Sequence, residues 1–290
     1  MAGIIDIIGN TPLVEIQKLN PNPNVKIYAK LEGNNPGGSV KDRASLNMIR
    51  SAIERGDIKP GTKLIEATSG NTGIALAMIA RLFGLEIELV MPSNSTRERT
   101  LTMEAYGAKV TLLEGIELCR DYAEEKGATE GYFLLNQFAN PDNYMAHVKT
   151  TGPEIWRDTD GKITHFVSAM GTTGTIMGCS RYFKDKNKDI QIIGCQPTEG
   201  SSIPGIRRWP EAYLPKIFDA SRVDRVMDIS EAEATQMARE MAKTEGIFAG
   251  MSSGGALSAA IKLAAELKEG IIVFICCDRG DRYLSSDLFG

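Results

Sequence analysis

Nine short apolar runs, rich in β-branched and aromatic residues, alternate along this chain with longer stretches of helical pattern. The strand candidates are KIYAKLE (26–32), KLIEAT (63–68), IELVMP (87–92), KVTLLE (109–114), YFLLN (132–136), THFVSAM (164–170), IQIIGC (190–195), VMDIS (226–230) and IIVFICC (271–277). Between them lie helical stretches such as ASLNMIRSAIERG, GIALAMIARLFG and SEAEATQMAREMAKTEG. Strands that alternate with helices imply βαβ units, and unbroken apolar strands imply sheets buried on both faces. Nine strands in 290 residues exceed what one small sheet needs. The pattern therefore predicts two α/β domains with mostly parallel sheets flanked by helices. NQFANPDN (136–143), where Pro and Asn cluster after a strand, is the best-marked boundary. The stretch after VMDIS should open on Ser230 with a capping box to Glu233 and close at Gly246.

The bulk properties narrow the function. Hydrophobic residues make up 42%, enough for sizeable cores, and the formal charge of −4 is spread over interspersed signs. A nucleic-acid binder would show a basic patch or stripe instead. Five cysteines form no C-x-x-C pair and leave an odd count, which suits a reduced cytoplasm. With two histidines and no cysteine cluster, nothing suggests a zinc or iron site. The N-terminus lacks a signal-peptide pattern, and no apolar run reaches the roughly 18 residues of a membrane span.

Three loops rich in Gly, Ser and Thr each open a helix: ATSGNTG (67–73), MGTTGT (170–175) and MSSGGA (251–256). Free backbone N–H groups and the helix dipole make such starts ready anion sites. None matches a dinucleotide fingerprint or a P-loop, and Ser and Thr at a helix start also serve plain capping. Three together suit a small ligand with several anionic groups.

NPGGSVKDRA (35–44) places a lysine in a first helical turn. Ser39 reads as N-cap and Asp42, three residues on, as its capping-box partner. Lys41 then sits at the positive end of the dipole, where a cation costs about 0.3–1 kcal/mol. Such an address suits an amine that must spend part of its cycle uncharged as a nucleophile, for example toward a carbonyl. Pyridoxal phosphate, an aldehyde carrying a phosphate, would account for Lys41 and one anion loop together. A solvated lysine, or one paired with Asp42 or Glu32, explains the same residue without chemistry.

The motifs IGNTPLV, GNNPGGSVKDR, EATSGNTGIALAMIA, GTTGT and GIFAGMSSGGA, in this order, resemble the cysteine synthase family. The resemblance runs from about residue 4 to the end. It implies a fold-type II pyridoxal-phosphate enzyme with a tryptophan synthase β-like architecture. SSIPGIRRWPEAYLP (201–215) and ICCDRGDRYLS (275–285) resemble the B isoenzyme rather than the A isoenzyme. The family organisation implies a smaller domain over 36–145 and a larger one built from 1–35 together with 146–290. It also implies a homodimer. The chain stops at Gly290, earlier than relatives usually do, downstream of all of these motifs.

The resemblance implies a role for each matched residue. Lys41 would hold pyridoxal 5'-phosphate as a Schiff base and move the substrate Cα proton. Asn71 would bond the cofactor's ring hydroxyl. Thr68, Ser69 and Thr72, with Gln137, would bind the substrate carboxylate. Gly171, Thr172, Thr173, Gly174 and Thr175 would cradle the phosphate, and Ser252 would face the pyridine nitrogen. The reaction implied is β-replacement, making L-cysteine from O-acetylserine and sulfide. Arg207 and Arg208 suit a dianion such as thiosulfate, which would give S-sulfocysteine. A solvated pair stacked on Trp209 or paired with Glu211 is the structural alternative. Cys277 reads as a small buried hydrophobe, and His147 and His165 as structural histidines. The rival readings are a serine or threonine dehydratase or racemase of the same fold, and a non-catalytic small-anion sensor.

Overall fold

The computed structural model describes residues 3–68 and 70–290. Strands β1 (Leu13–Glu15) and β2 (Val25–Leu31) precede β3 (Lys63–Ala67), β4 (Glu86–Pro92), β5 (Lys109–Leu113) and β6 (Tyr132–Leu134). Strands β7 (His165–Ala169), β8 (Gln191–Pro197), β9 (Arg225–Ile229) and β10 (Gly270–Cys276) follow. They form a six-stranded sheet, ordered β1-β2-β10-β7-β8-β9, and a four-stranded sheet, ordered β5-β4-β3-β6. All pairs are parallel except β1 with β2. The nine predicted strands are therefore all present. The tenth, β1, is an antiparallel edge strand of three residues, too short to carry a periodic signal.

The helices are α1 (Lys41–Glu54), α2 (Asn71–Leu82), α3 (Arg97–Ala105), α4 (Gly115–Gly127) and α5 (Pro141–Lys149). They continue with α6 (Thr151–Asp158), α7 (Gly174–Lys186), α8 (Glu231–Glu240) and α9 (Met251–Glu266). Strand β10 shows why its run is apolar without alternation. Ile272 and Phe274 pack with Leu257 and Ala260 of α9, while Val273 and Ile275 pack with Phe166 and with Phe183 of α7. Both faces are covered, so all four strand side chains are buried, each worth roughly 1.5–3 kcal/mol. The predicted capping box forms at α8: Ser230 Oγ accepts the Glu233 N–H at 3.2 Å, and Glu233 Oε2 accepts the Ser230 N–H at 2.8 Å. A π-turn, Met241–Glu245, extends that helix to Gly246, whose φ of +71° closes it.

The start of α1 differs from the sequence reading. Ser39 Oγ accepts the N–H of Lys41, at 3.2 Å, rather than that of Asp42. The Asp42 carboxylate turns back to accept the Gly37 N–H. A tight Asn35–Gly38 turn brings Gly37 to that carboxylate, and it outcompetes the box. The Val40 N–H donates to the Cys277 carbonyl at 2.9 Å, pinning the helix start to the end of β10. In the same first turn, the buried Arg43 guanidinium bonds Glu32 at 2.7 Å and Glu154 at 2.6 Å, and Lys30 bonds Glu154 at 2.9 Å. Burial raises the Glu154 carboxyl pKa, but Arg43 and Lys30 outweigh it and hold it at about 2.

Candidate active site

The carboxyl ends of β3, β7 and β10 open onto one cleft, with a cavity volume of about 200 Å³. Four helices begin there. Lys41 is the first residue of α1 and Asn71 the first of α2, Thr175 lies in the first turn of α7, and Ser252 in that of α9; all four line the cleft. Four dipoles thus direct their positive ends at one small volume, an arrangement suited to an anionic ligand.

Lys41 is half-buried, and loss of hydration around its amine lowers its pKa. Cys277, Asp278 and Glu32 act in the opposite direction without cancelling that effect. The sequence points to the helix dipole as the cause; burial acts in the same direction. Cys277, set aside at the sequence level, also lines the cleft. Burial pushes its thiol up to about 11, against the pull of Lys41, so it stays protonated at neutral pH.

Around the 67–73 loop, Thr68 Oγ1 accepts the Gly70 and Gly73 N–H groups, each at 3.1 Å. Both its acceptor positions are filled, which leaves its proton to donate. Ser69 lies outside the described residues. The Thr72 hydroxyl donates to Gln137 Oε1 at 2.8 Å, and Gln137 Nε2 donates to the Ala67 carbonyl at 2.7 Å. One Gln137 amide proton is left for a ligand. The buried Glu66 accepts the Gln137 N–H at 3.4 Å and steadies Asn136, whose φ is +54°. Asn71 is held by residues of the 275–285 segment to which the sequence assigns no role: its Nδ2 donates to Asp278 Oδ2 at 2.6 Å, and its Oδ1 accepts from Arg282 at 2.5 Å. Tyr283 donates to the same Asp278 oxygen at 2.6 Å and lines the cleft. The one sequence signal for them is the density of polar residues in DRGDRY directly after an apolar strand.

The loop before α7 has the shape of a cradle. A side chain at Gly171 would meet the Gly205 carbonyl oxygen at 2.8 Å, and one at Gly205 would meet Ser252 at 3.4 Å. Thr173 adopts a φ of +69°, unusual for a β-branched residue, and its buried hydroxyl has no partner among the described residues. Gly171, Thr172 and Thr175 line the cleft; Thr173 and Gly174 do not. Glycine walls, the Thr172 and Thr175 hydroxyls, a helix start and an amine of lowered pKa fit a phosphorylated aldehyde.

The two arginines separate. Arg207 lines the cleft, and burial lowers its pKa. Arg208 does not line it: its Nε donates to the Pro197 carbonyl at 2.9 Å, and its Nη2 lies 2.7 Å from Asp228. Arg99 of α3, unremarked in the sequence, is among the cleft residues and acts electrostatically on Arg207. Trp209 donates its indole N–H to the Gly171 carbonyl at 2.7 Å rather than stacking with the pair.

A model of the pyridoxal-phosphate dependent enzymes matches residues 4–278. Cysteine synthase B of Pseudomonas aeruginosa is 58% identical over 289 residues, covering 99% of this chain and 97% of that protein. This chain belongs to the cysteine synthase family of pyridoxal-phosphate dependent enzymes. Cysteine synthase B of Escherichia coli K12 is 56% identical, covering 100% of this chain and 97% of that one. Cysteine synthase A of the same organism is 42% identical over 97% of this chain and 93% of its own length, which accords with the B-type character of residues 201–215 and 275–285. Among solved structures, O-acetylserine sulfhydrylase isoform 3 of Entamoeba histolytica superposes with a TM-score of 0.92 at 40% identity, covering 100% of this chain and 91% of that one. O-ureido-L-serine synthase superposes with a TM-score of 0.94 at 35% identity, covering 100% and 95%. The fold-type II expectation holds.

Proposed function

We propose that this cysteine synthase makes L-cysteine from O-acetylserine and sulfide by pyridoxal-phosphate-dependent β-replacement. The observation that carries the reading is the Lys41 amine, of lowered pKa, at a helix start in a cleft where three other helices begin. When bound, the cofactor supplies an aldehyde for covalent attachment and a ring that stabilises negative charge at the substrate Cα.

Lys41 would hold the aldehyde carbon when no substrate is present. Its freed amine then removes the Cα proton of the amino acid and later returns it. The charge stabilisation that the bound cofactor would supply at Cα is what would let acetate depart from Cβ with its electron pair and sulfide take its place. Gly171–Thr175 and the start of α7 hold the phosphate. Thr68, Ser69 and Gln137 orient the substrate carboxylate, with Thr72 steadying Gln137. Asn71, fixed by Asp278 and Arg282, meets the ring hydroxyl. Ser252, a neutral hydroxyl, would face the ring nitrogen, where it would not force protonation as a carboxylate would.

Arg207 suits a dianionic donor, so thiosulfate would be accepted and S-sulfocysteine formed. Arg208, engaged with Asp228, contributes by holding the loop. A smaller unit over 36–145 closing on 1–35 together with 146–290, a homodimeric assembly and a cytoplasmic setting complete the proposal. No helix among the described residues is long and apolar enough to cross a membrane. The test is a turnover assay with O-acetylserine and either sulfide or thiosulfate. L-cysteine from sulfide is expected; ammonia or D-serine as the main product from serine would instead favour a dehydratase or racemase.

A further inference from the structure

Helix α5 carries Asn143 and His147 one turn apart, so both face the same way. They are 3% and 1% exposed and pack against the start of α7: side chains at Gly174 and Gly178 would collide with them. Asn143 Nδ2 lies 2.7 Å from the Gln137 carbonyl, which can only accept, so the amide nitrogen must face it. That orientation gives the other amide proton to Thr172 Oγ1, 3.1 Å away. The Gly174 N–H donates to the same hydroxyl at 3.4 Å. Both acceptor positions of Thr172 are thus filled from behind, and its one proton is left to point into the cleft it lines.

His147 stands in the same relation to Thr175. Its Nδ1 lies 2.8 Å from Thr151 Oγ1, and its Nε2 lies 3.4 Å from Thr175 Oγ1. Burial, with Arg43 and Lys41 nearby, holds the imidazole neutral, so one ring nitrogen donates and the other accepts. A proton on Nε2 would make Thr175 an acceptor on its buried side and a donor on its cleft side. A proton on Nδ1 would spend the Thr175 proton on the ring and present lone pairs to an anion.

We propose that Asn143 and His147 are positioning residues for the cofactor phosphate, acting as donors behind Thr172 and Thr175. In this arrangement His147 is the Nε2–H tautomer and Nδ1 accepts from Thr151. Both threonine hydroxyls then present protons to the phosphate. The inference rests on reading Gly171–Thr175 as the phosphate loop.

Two measurements test it. The chain has two histidines, so ¹⁵N-histidine spectra of the holoenzyme can be assigned with a His165→Gln variant. An Nε2–H pattern for His147, constant from about pH 6 to 9, is expected; an Nδ1–H or charged ring overturns the relay. The second measurement titrates the cofactor-stripped chain with pyridoxal phosphate and with pyridoxal, which lacks the phosphate. Asn143→Leu and His147→Leu should weaken pyridoxal phosphate by roughly tenfold or more and pyridoxal by no more than about twofold. His147→Gln, which keeps an N–H donor, should recover most of the loss. Equal weakening of both ligands, or unchanged affinity for pyridoxal phosphate, overturns the proposal. Thr172→Val and Thr175→Val separate the two readings. If they leave pyridoxal phosphate affinity intact, the phosphate-loop reading itself fails. If they weaken it while the α5 variants do not, only the relay fails.

Discussion

Asn71 and Asp278 are joined by a 2.6 Å hydrogen bond, although 207 residues separate them in the chain. The bond ties the first residue of α2, beside the four-stranded sheet, to the segment that follows β10 of the six-stranded one. Asp278 also receives the Tyr283 hydroxyl, and Arg282 completes the hold on Asn71. Asp278→Ala should therefore loosen Asn71, leaving it to Arg282 alone, and leave two donors unpaired, at a cost of about 1–3 kcal/mol. The expected result is a folded protein whose cofactor absorbance shifts and whose kcat falls more than its KM rises. An unchanged spectrum and turnover would show that Asn71 needs no such support.

Lys41 gives a prediction about stability as well as chemistry. Its folded-state pKa is lowered, so between that value and the ordinary lysine pKa of 10.5 the unfolded chain holds the extra proton. Stability of the cofactor-free protein then rises with pH through that window, because the burial penalty fades as the amine is deprotonated. Lys41→Met removes the penalty. It should raise the melting temperature at pH 7 and lose that advantage as the pH approaches and passes about 10. A gain that does not shrink with pH would mean the amine is not the source.

The two neighbouring arginines should behave differently. Arg207→Ala removes a guanidinium from the cleft and should depress thiosulfate use by roughly tenfold or more relative to sulfide use. Arg208→Ala breaks an exposed pair with Asp228 and should change neither donor by more than a few-fold. Parallel assays with both donors check this. Equal losses for sulfide and thiosulfate in Arg207→Ala would contradict donor recognition there.

Much of this was legible in the chain before any coordinates. The nine β-rich runs carried a local signal, as did the capping box at Ser230 and the Gly/Ser/Thr loops that open α2, α7 and α9. Lys41 stood out because a cation in a first turn conflicts with the dipole, and it does begin α1 in the cleft. What was not legible depends on contacts across long stretches of sequence. Asp42 chose Gly37 over Ser39 because the turn before α1 folds back on it. Arg207 and Arg208 are adjacent, yet Asp228 of β9 draws one of them out of the cleft. Cys277 reads as an ordinary buried residue until β10 ends beside α1 and brings it to Lys41. Asp278, Arg282 and Tyr283 lie in a segment that marks the isoenzyme type without a role for any of them, and only the meeting of two sheets gives them Asn71.

The most direct measurement is mass mapping of the holoenzyme after borohydride reduction, which fixes the cofactor wherever it is covalently held. The pyridoxyl-phosphate mass should appear on the peptide containing Lys41 and vanish in Lys41→Ala. Its appearance on another lysine, or on none, would contradict the account.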